Sequence, residues 1–153
     1  MTIKIATKLY IEDINKLFFL LDKDCLNYQP EHNKIEERTK EYLIEIINNP
    51  MSDLLLFIID NKVIGFSLLY QKETKGLRLL ILCKYAYLQD FVVKEDCRNH
   101  DYGTQLFEAS KQWAKDNDMD YLRLSVFPSN DSGIRFYKRH GLIEQMLTME
   151  CPL

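Results

Sequence analysis

At 153 residues with 46% hydrophobic content, the chain suits one globular domain, expected to run 1–153, with a sizeable core. Its formal net charge of -3 is spread over mixed-sign positions with no basic stripe, which argues against a nucleic-acid partner and leaves room for a small cationic one. There is no apolar run of membrane-spanning length, and Cys25, Cys83, Cys97 and Cys151 are too scattered for a zinc site or a disulfide framework, so a cytoplasmic protein with reduced cysteines, no metal and no membrane partner is expected. Along the chain, Ile3–Ala6 reads as a first strand. Ile11, Ile14, Phe18, Leu21 and Cys25 fall at helical spacing, as do Tyr42, Leu43, Ile46 and Ile47, before Asn49-Pro50 ends the second helix. Leu54–Ile59 and Val63–Tyr70 flank Asp60-Asn61-Lys62 and predict a β-hairpin. After a turn at Lys75-Gly76, the apolar segment Leu77–Cys83 has no clear period and reads either as core strand or as an exposed subunit contact, the latter consistent with a homodimer. Tyr85–Val93 reads as a strand, Gly103–Asp118 as a helix and Tyr121–Phe127 as a strand, a βαβ-like core in an α/β (α+β) chain.

Two joints in this core carry chemistry. The loop Lys94–Tyr102 runs from a strand into a helix, aiming unpaired N–H groups and the positive helix end into one small space that suits a pyrophosphate. A second joint, "NDSGIRFYKRHGL" from Asn130 to Leu142, follows the next strand and again opens a helix, so a ligand could lie across both.

On these two motifs the chain resembles the GNAT superfamily of N-acetyltransferases. The family's Arg/Gln-x-x-Gly-x-Gly/Ala loop is matched by Arg98, Asp101 and Gly103 in "RNHDYG", with Asp101 standing where a glycine is usual. Its later motif is matched by Asn130, Gly133, Phe136, Tyr137, Gly141 and Leu142, and "YLQDFVV" resembles the spermidine/spermine branch, with Gln89-Asp90 keeping half of that branch's acidic pair. The resemblance implies a mixed, mostly antiparallel sheet whose fourth and fifth strands splay apart to form an acetyl-CoA cleft, with helices on both faces. It implies direct attack of a primary amine on the acetyl thioester, with no metal. Backbone groups of Phe91, Val92 and Val93, the loop Arg98, Asn99, His100, Asp101, Tyr102, Gly103 and Thr104, and Asn130, Gly133 and Tyr137 would hold acetyl-CoA. Tyr137 would protonate the leaving sulfur, a task suited to a phenol with an ordinary pKa of about 10, or else would simply pack beside Phe136.

Asp90 would bind or deprotonate the incoming ammonium; as a plain structural carboxylate it would instead be solvated or paired, sharing a face with Leu88 and Val92 under strict alternation. Tyr28, Glu31, His32, Glu36 and Glu37 form either a solvated surface or a lip for a cationic acceptor. Asn99 and Asp101 tolerate the left-handed backbone such a turn needs, and the Asp101 carboxylate either repels the phosphates, is neutralised by Arg98 or His100, or caps the helix. The expected function is acetyl-CoA-dependent transfer to a small amine or polyamine-like acceptor. A protein N-terminal or lysine acetyltransferase, a degenerate CoA-binding module and an unrelated α/β nucleotide-binding domain stand as alternatives.

Overall fold

The most apolar stretch of the chain becomes the centre of its sheet. In the computed structural model, which describes residues 1–74 and 81–153, strands β2 (Ser52–Ile59) and β3 (Lys62–Glu73) form the expected hairpin and are buried on both faces. Asp60 and Asn61 take φ of 48° and 60°, the two positive values of a type I′ turn, whose twist matches that of the flanking strands. Strand β1 (Thr2–Ile5) pairs antiparallel with β2, and β4 (Lys84–Val93) pairs antiparallel with β3. The last strand, β5 (Tyr121–Arg123), pairs parallel with β4, giving a mixed sheet in the order β1-β2-β3-β4-β5. Of the apolar segment preceding β4, Leu77–Leu80 lie outside the described residues, while Ile81 and Leu82 are exposed.

Helices cover both faces, as expected. Helix α1 (Ile11–Tyr28) and helix α2 (Lys40–Asn48) set Ile14, Leu17, Phe18, Leu43 and Ile46 against Leu54, Leu56, Phe66, Leu68 and Val92. Thr39 caps α2 by accepting the Tyr42 N–H at 3.2 Å. On the opposite face, helix α3 (Tyr102–Asp116) packs Leu106, Phe107, Trp113 and Ala114 over Leu55, Phe57, Leu69, Leu88 and Val93. Two polar bonds pin α3 in place: Ser110 Oγ donates to Ser67 Oγ at 2.9 Å in the core, and Trp113 Nε1 donates to Asp53 at 2.7 Å. A final helix, α4 (Asp131–Arg139), lies on the same side with no fully buried residue. Among the described residues no helix is long and apolar enough to cross a membrane.

Two departures from the sequence reading shape the site. The fifth strand ends at Arg123 rather than Phe127, because β4 and β5 share only the pairs Tyr85–Tyr121, Ala86–Leu122 and Tyr87–Arg123 before they diverge. Strict alternation also fails in β4: Leu68 sits opposite Asp90 but Leu69 opposite Leu88, so Gln89 is the extra residue of a bulge. Leu88 therefore joins the α3 face with Phe91 and Val93, whereas Asp90 remains on the α1 side with Val92.

The bulged β4 approaches β3 closely at Gly65, where a Cβ would lie 2.6 Å from the Val92 carbonyl oxygen and 3.3 Å from the Val93 Cα. Neither obstacle is a flexible side-chain tip, so backbone must move. Gly65→Ala is expected to lower stability by about 1–3 kcal/mol, the cost typical of overpacking, as read from urea denaturation midpoints at unchanged m-value.

Candidate active site

The site begins where two parallel strands stop pairing. Beyond Tyr87–Arg123, β4 runs on for Leu88–Val93 with no strand on its β5 side among the described residues, and Leu124–Phe127 is not paired with it. Alternate N–H and C=O groups of that half of β4 consequently have no strand partner on the β5 side, the Val93 carbonyl being taken instead by the Arg98 side chain. Tyr87 marks the point of divergence, its hydroxyl 3.0 Å from Ser125 Oγ. The segment expected to supply backbone groups, Phe91 to Val93, lies in this unpaired half.

At the top of β4 the chain makes a 3-10 turn at Glu95–Cys97 and enters α3 through the loop singled out from sequence. Asn99 and Asp101 both adopt φ of 63°, the left-handed values expected of residues replacing glycine. The capping alternative for Asp101 is overturned: its side chain makes no cap hydrogen bond, and its contribution to α3 is the main-chain oxygen that accepts the Gln105 N–H at 3.1 Å. The N–H groups of Tyr102, Gly103 and Thr104, which precede any intrahelical acceptor, are left free for an anion. Arg98 and His100 do not neutralise Asp101 either. Arg98 bonds the Val93 carbonyl through Nε at 3.1 Å and Asp24 through Nη2 at 3.0 Å, while the His100 ring sits 2.8 Å from the Arg98 carbonyl and stacks on Tyr102. Arg98 thus ties the loop to β4 and α1. Gly103 has no positive φ, and a Cβ there would meet only the Phe136 ring at 3.7 Å, an ordinary contact. The protein's own packing does not require glycine at that position.

On α4, Asn130 is the N-cap: its Oδ1 accepts from the Gly133 N–H at 2.9 Å and the Tyr28 hydroxyl at 3.1 Å. A Cβ on Gly133 would fall 2.6 Å from the Asn130 amide, so this glycine is explained by the cap it accommodates. Both residues have structural work that the sequence reading did not assign to them. The same bond fastens the end of α1 to the start of α4, and the Tyr28 ring lies 5.8 Å from Phe127 across the divergent strand. One turn further on, Tyr137 enters an aromatic cluster with Phe91 at 6.4 Å, Phe107 at 5.7 Å and Phe136 at 5.4 Å. Packing and chemistry are therefore not alternatives for this ring. Burial pushes its pKa up to about 12, higher than the ordinary value assumed from sequence, so the phenol keeps its proton throughout the physiological range.

Asp90 stands on the other face. Burial raises its carboxyl to about 6, opposed by the Arg38 guanidinium and assisted by Asp22. Asp22 is itself buried, gripped by both Arg38 terminal nitrogens, and Arg38 lies 4.6 Å over the Phe18 ring. Sequence reasoning missed this pair. The available signal was an aspartate four residues after Phe18, on the stripe of α1 that faces the sheet, where an unpaired charge is costly. Of the acidic lip, Glu37 bonds Asn15 at 3.3 Å, Glu36 pairs with Lys34, and His32 is exposed and 2.7 Å from Glu150, which raises its pKa. Among the described residues no three His, Cys, Asp or Glu side chains gather so as to hold a metal ion.

The two candidate catalytic groups thus approach from opposite faces of β4, and the unpaired gap beside that strand is where those faces communicate. Solved structures share this architecture throughout. A point mutant of the BH1408 protein from Bacillus halodurans superposes with a TM-score of 0.94 at 24% identity, covering 100% of this chain and 99% of that one. An aminoglycoside acetyltransferase from an uncultured soil metagenomic sample, meta-AAC0020 in complex with sisomicin, gives 0.73 at 14% identity, covering 99% and 95%. The aminoglycoside N-acetyltransferase AAC(6')-Iy in complex with CoA gives 0.73 at 15% identity, covering 99% and 98%. No curated protein sequence matches the chain. The sequence profile of the Acetyltransferase (GNAT) family matches residues 15–142, which takes in both faces of the sheet and both motif helices. The chain belongs to the GNAT family of acetyltransferases.

Proposed function

We propose that this protein acetylates a primary amine of a small cationic acceptor, with acetyl-CoA as donor. The observation that carries the reading is the half of β4 left unpaired by β5, with Asp90 on its α1 face and Tyr137 packed on its α3 face, each shifted by burial toward its neutral form. Acetyl-CoA, when bound, supplies the thioester carbonyl that the amine attacks and the sulfur that departs. The α3 N-terminus, with Tyr102, Gly103 and Thr104 N–H groups uncapped, suits its pyrophosphate, and the unpaired edge of Phe91–Val93 suits the amide-bearing arm. Asp90, ionised above pH 6, attracts the acceptor's ammonium and takes its proton on a carboxylate oxygen, leaving a neutral nitrogen. Tyr137 holds a proton on its hydroxyl and delivers it to the leaving sulfur. A phenol near 12 is a weaker acid than an unperturbed one, so this transfer depends on the sulfur anion being equally poorly solvated in the same apolar surroundings.

The Asp90 carboxylate at the α1 face of β4 favours a cationic amine. Spermidine-like acceptors and aminoglycosides share that chemistry, and the named aminoglycoside acetyltransferases of like fold make both classes the first to assay. A panel of polyamines, aminoglycosides and peptides with free N-termini, followed by release of thiol, tests the assignment. Turnover confined to the peptides would place the protein with protein-modifying members, and none with any amine would reduce it to a CoA-binding module.

Asp90→Asn is expected to lower kcat/KM about 100-fold and to abolish the acid limb, which in the parent protein falls as pH drops through about 6. Its stability moves the other way. A carboxyl whose folded pKa exceeds the unfolded value costs nothing below the unfolded value and costs most above the folded one, so the substitution is expected to stabilise the fold at pH 8 by on the order of 2 kcal/mol, a gain that disappears near pH 3. Parallel pH–rate profiles and melting curves check both.

Tyr137→Phe should reduce kcat by about ten- to a thousand-fold with acetyl-CoA affinity unchanged. Because the hydroxyl stays protonated up to about 12, the parent's rate should show no alkaline limb from this group below pH 10. Unaltered turnover in the folded variant would return Tyr137 to packing alone.

Asp101 is exposed with a left-handed backbone and no cation on its carboxylate among the described residues. Asp101→Asn keeps the tolerated conformation and removes the charge, so acetyl-CoA should bind about three- to ten-fold more tightly at low salt, with the gain shrinking at 0.5 M salt. Titration calorimetry at both salt concentrations reads the effect.

A further inference from the structure

We infer that the acceptor carries a carboxylate at the end remote from its amine, bound by Lys72 and Arg123 on the tyrosine-lined sheet face that continues from Asp90. This rests on the reading of Asp90 as the group that receives a cationic amine, and it specifies the other end of the same molecule. Strand register defines the face. Ala86 and Leu88 belong to the α3 side, so Tyr85 and Tyr87 point the other way, where Tyr70, paired with Tyr87, packs against the α1–α2 core. In the parallel pair Leu122 goes with α3, which sets Tyr121 and Arg123 beside Tyr85 and Tyr87. The α1–α2 core takes only Val92 from β4 and nothing from β5, so this part of the sheet lies outside it. Lys72, Tyr121 and Arg123 are exposed.

Two cations are built into this face. Lys72 Nζ sits 4.3 Å over the Tyr87 ring, and the Arg123 guanidinium lies 4.4 Å over Tyr85 and 5.4 Å over Tyr121. The electron-rich ring faces fix the position of each cation and leave its charge uncompensated. Neither has a carboxylate within ion-pair distance among the described residues, although the chain as a whole carries a net charge of -3. Arg123 also points Nη2 at Cys83 Sγ, 3.6 Å away, which is a weak acceptor. A guanidinium stacked through its face keeps its N–H edge for an anion, and that fork matches the two oxygens of a carboxylate. Spacing agrees as well. Tyr87 precedes Asp90 by three residues, about 10 Å at full strand rise. The Tyr87 hydroxyl, 3.0 Å from Ser125 Oγ, lines the interval between them. An amine seated at Asp90 thus directs the far end of its chain toward two cations, which attract a carboxylate and repel a second ammonium.

Three acceptors with one aliphatic amine in common test this: aminocaproate, its amide, and hexamethylenediamine, which end in a carboxylate, a neutral amide and a second ammonium. Aminocaproate should show kcat/KM at least five-fold above the other two, the difference lying in KM. The double variant Lys72→Gln/Arg123→Gln, at exposed positions and with its circular dichroism unchanged, should lose that preference. A preference below five-fold, or one that survives the double variant, would overturn the inference. Binding is read separately from turnover. In the full chain saturated with coenzyme A, the ¹⁵N resonance of Arg123 Nε should shift on titration with aminocaproate and stay in place with its amide; no shift, or the same shift with both, overturns it too. A chain that acetylates none of the three loses the proposed activity, and the titration alone then decides this inference. Equal turnover of all three keeps the activity and sinks the inference.

Discussion

The site depends on a hydrogen-bonded ladder that stops early. Parallel strands β4 and β5 hold together at Tyr85, Ala86 and Tyr87 and then separate, although β4 continues to Val93. A ladder pursued to the end of β4 would have consumed the backbone groups of Leu88–Val93 and sealed one face of the sheet from the other. Its interruption leaves polar backbone facing a wedge, and buried polar backbone without partners is expensive, so the arrangement is suited to a ligand that supplies them. The Gln89 bulge acts at the same place. By adding a residue it turns Asp90 toward α1 while Leu88 and Phe91 remain with α3, so a charged group and an aromatic floor emerge on opposite sides of one strand.

Holding such a gap open requires fastening its margins. Arg98 joins the loop before α3 to the Val93 carbonyl and to Asp24 of α1, and Tyr28 joins the end of α1 to Asn130 at the start of α4. The cluster of Phe91, Phe107, Phe136 and Tyr137 links β4, α3 and α4 by edge-on and stacked contacts. Asp90 and Tyr137 inherit their properties from these surroundings: each is partly shielded from water, and each is shifted toward its neutral form. For the carboxyl this brings the pKa up to about 6; for the phenol it brings it up to about 12.

Much of the fold was legible from local pattern. The hairpin about Asp60-Asn61, the helical stripes of α1 and α2, and the strand–loop–helix joint ending at Gly103 each follow from spacing within a dozen residues, where φ preferences and side-chain period act directly. The left-handed turns at Asn99 and Asp101 were readable for the same reason, since few other side chains tolerate that backbone. The register bulge, the early end of β5 and the Asp22–Arg38 pair were not legible, because each is decided by a partner distant in the chain: Leu68 and Leu69 for the bulge, β4 for the strand end, and the segment after α1 for Asp22.

Residue types at each joint follow from the chain alone: a carboxylate in the fourth strand, a phenol in the last helix, and a glycine at the head of α3. The order of elements follows from it as well, since periodicity and turn chemistry are local properties of the chain. Tertiary structure alone decided that Asp90 and Tyr137 sit on opposite faces of one gap, that the Asp101 carboxylate caps nothing, and that the two acids titrate near 6 and 12. Facing and solvation depend on what packs alongside, and a single added residue in a strand reverses the first while burial sets the second.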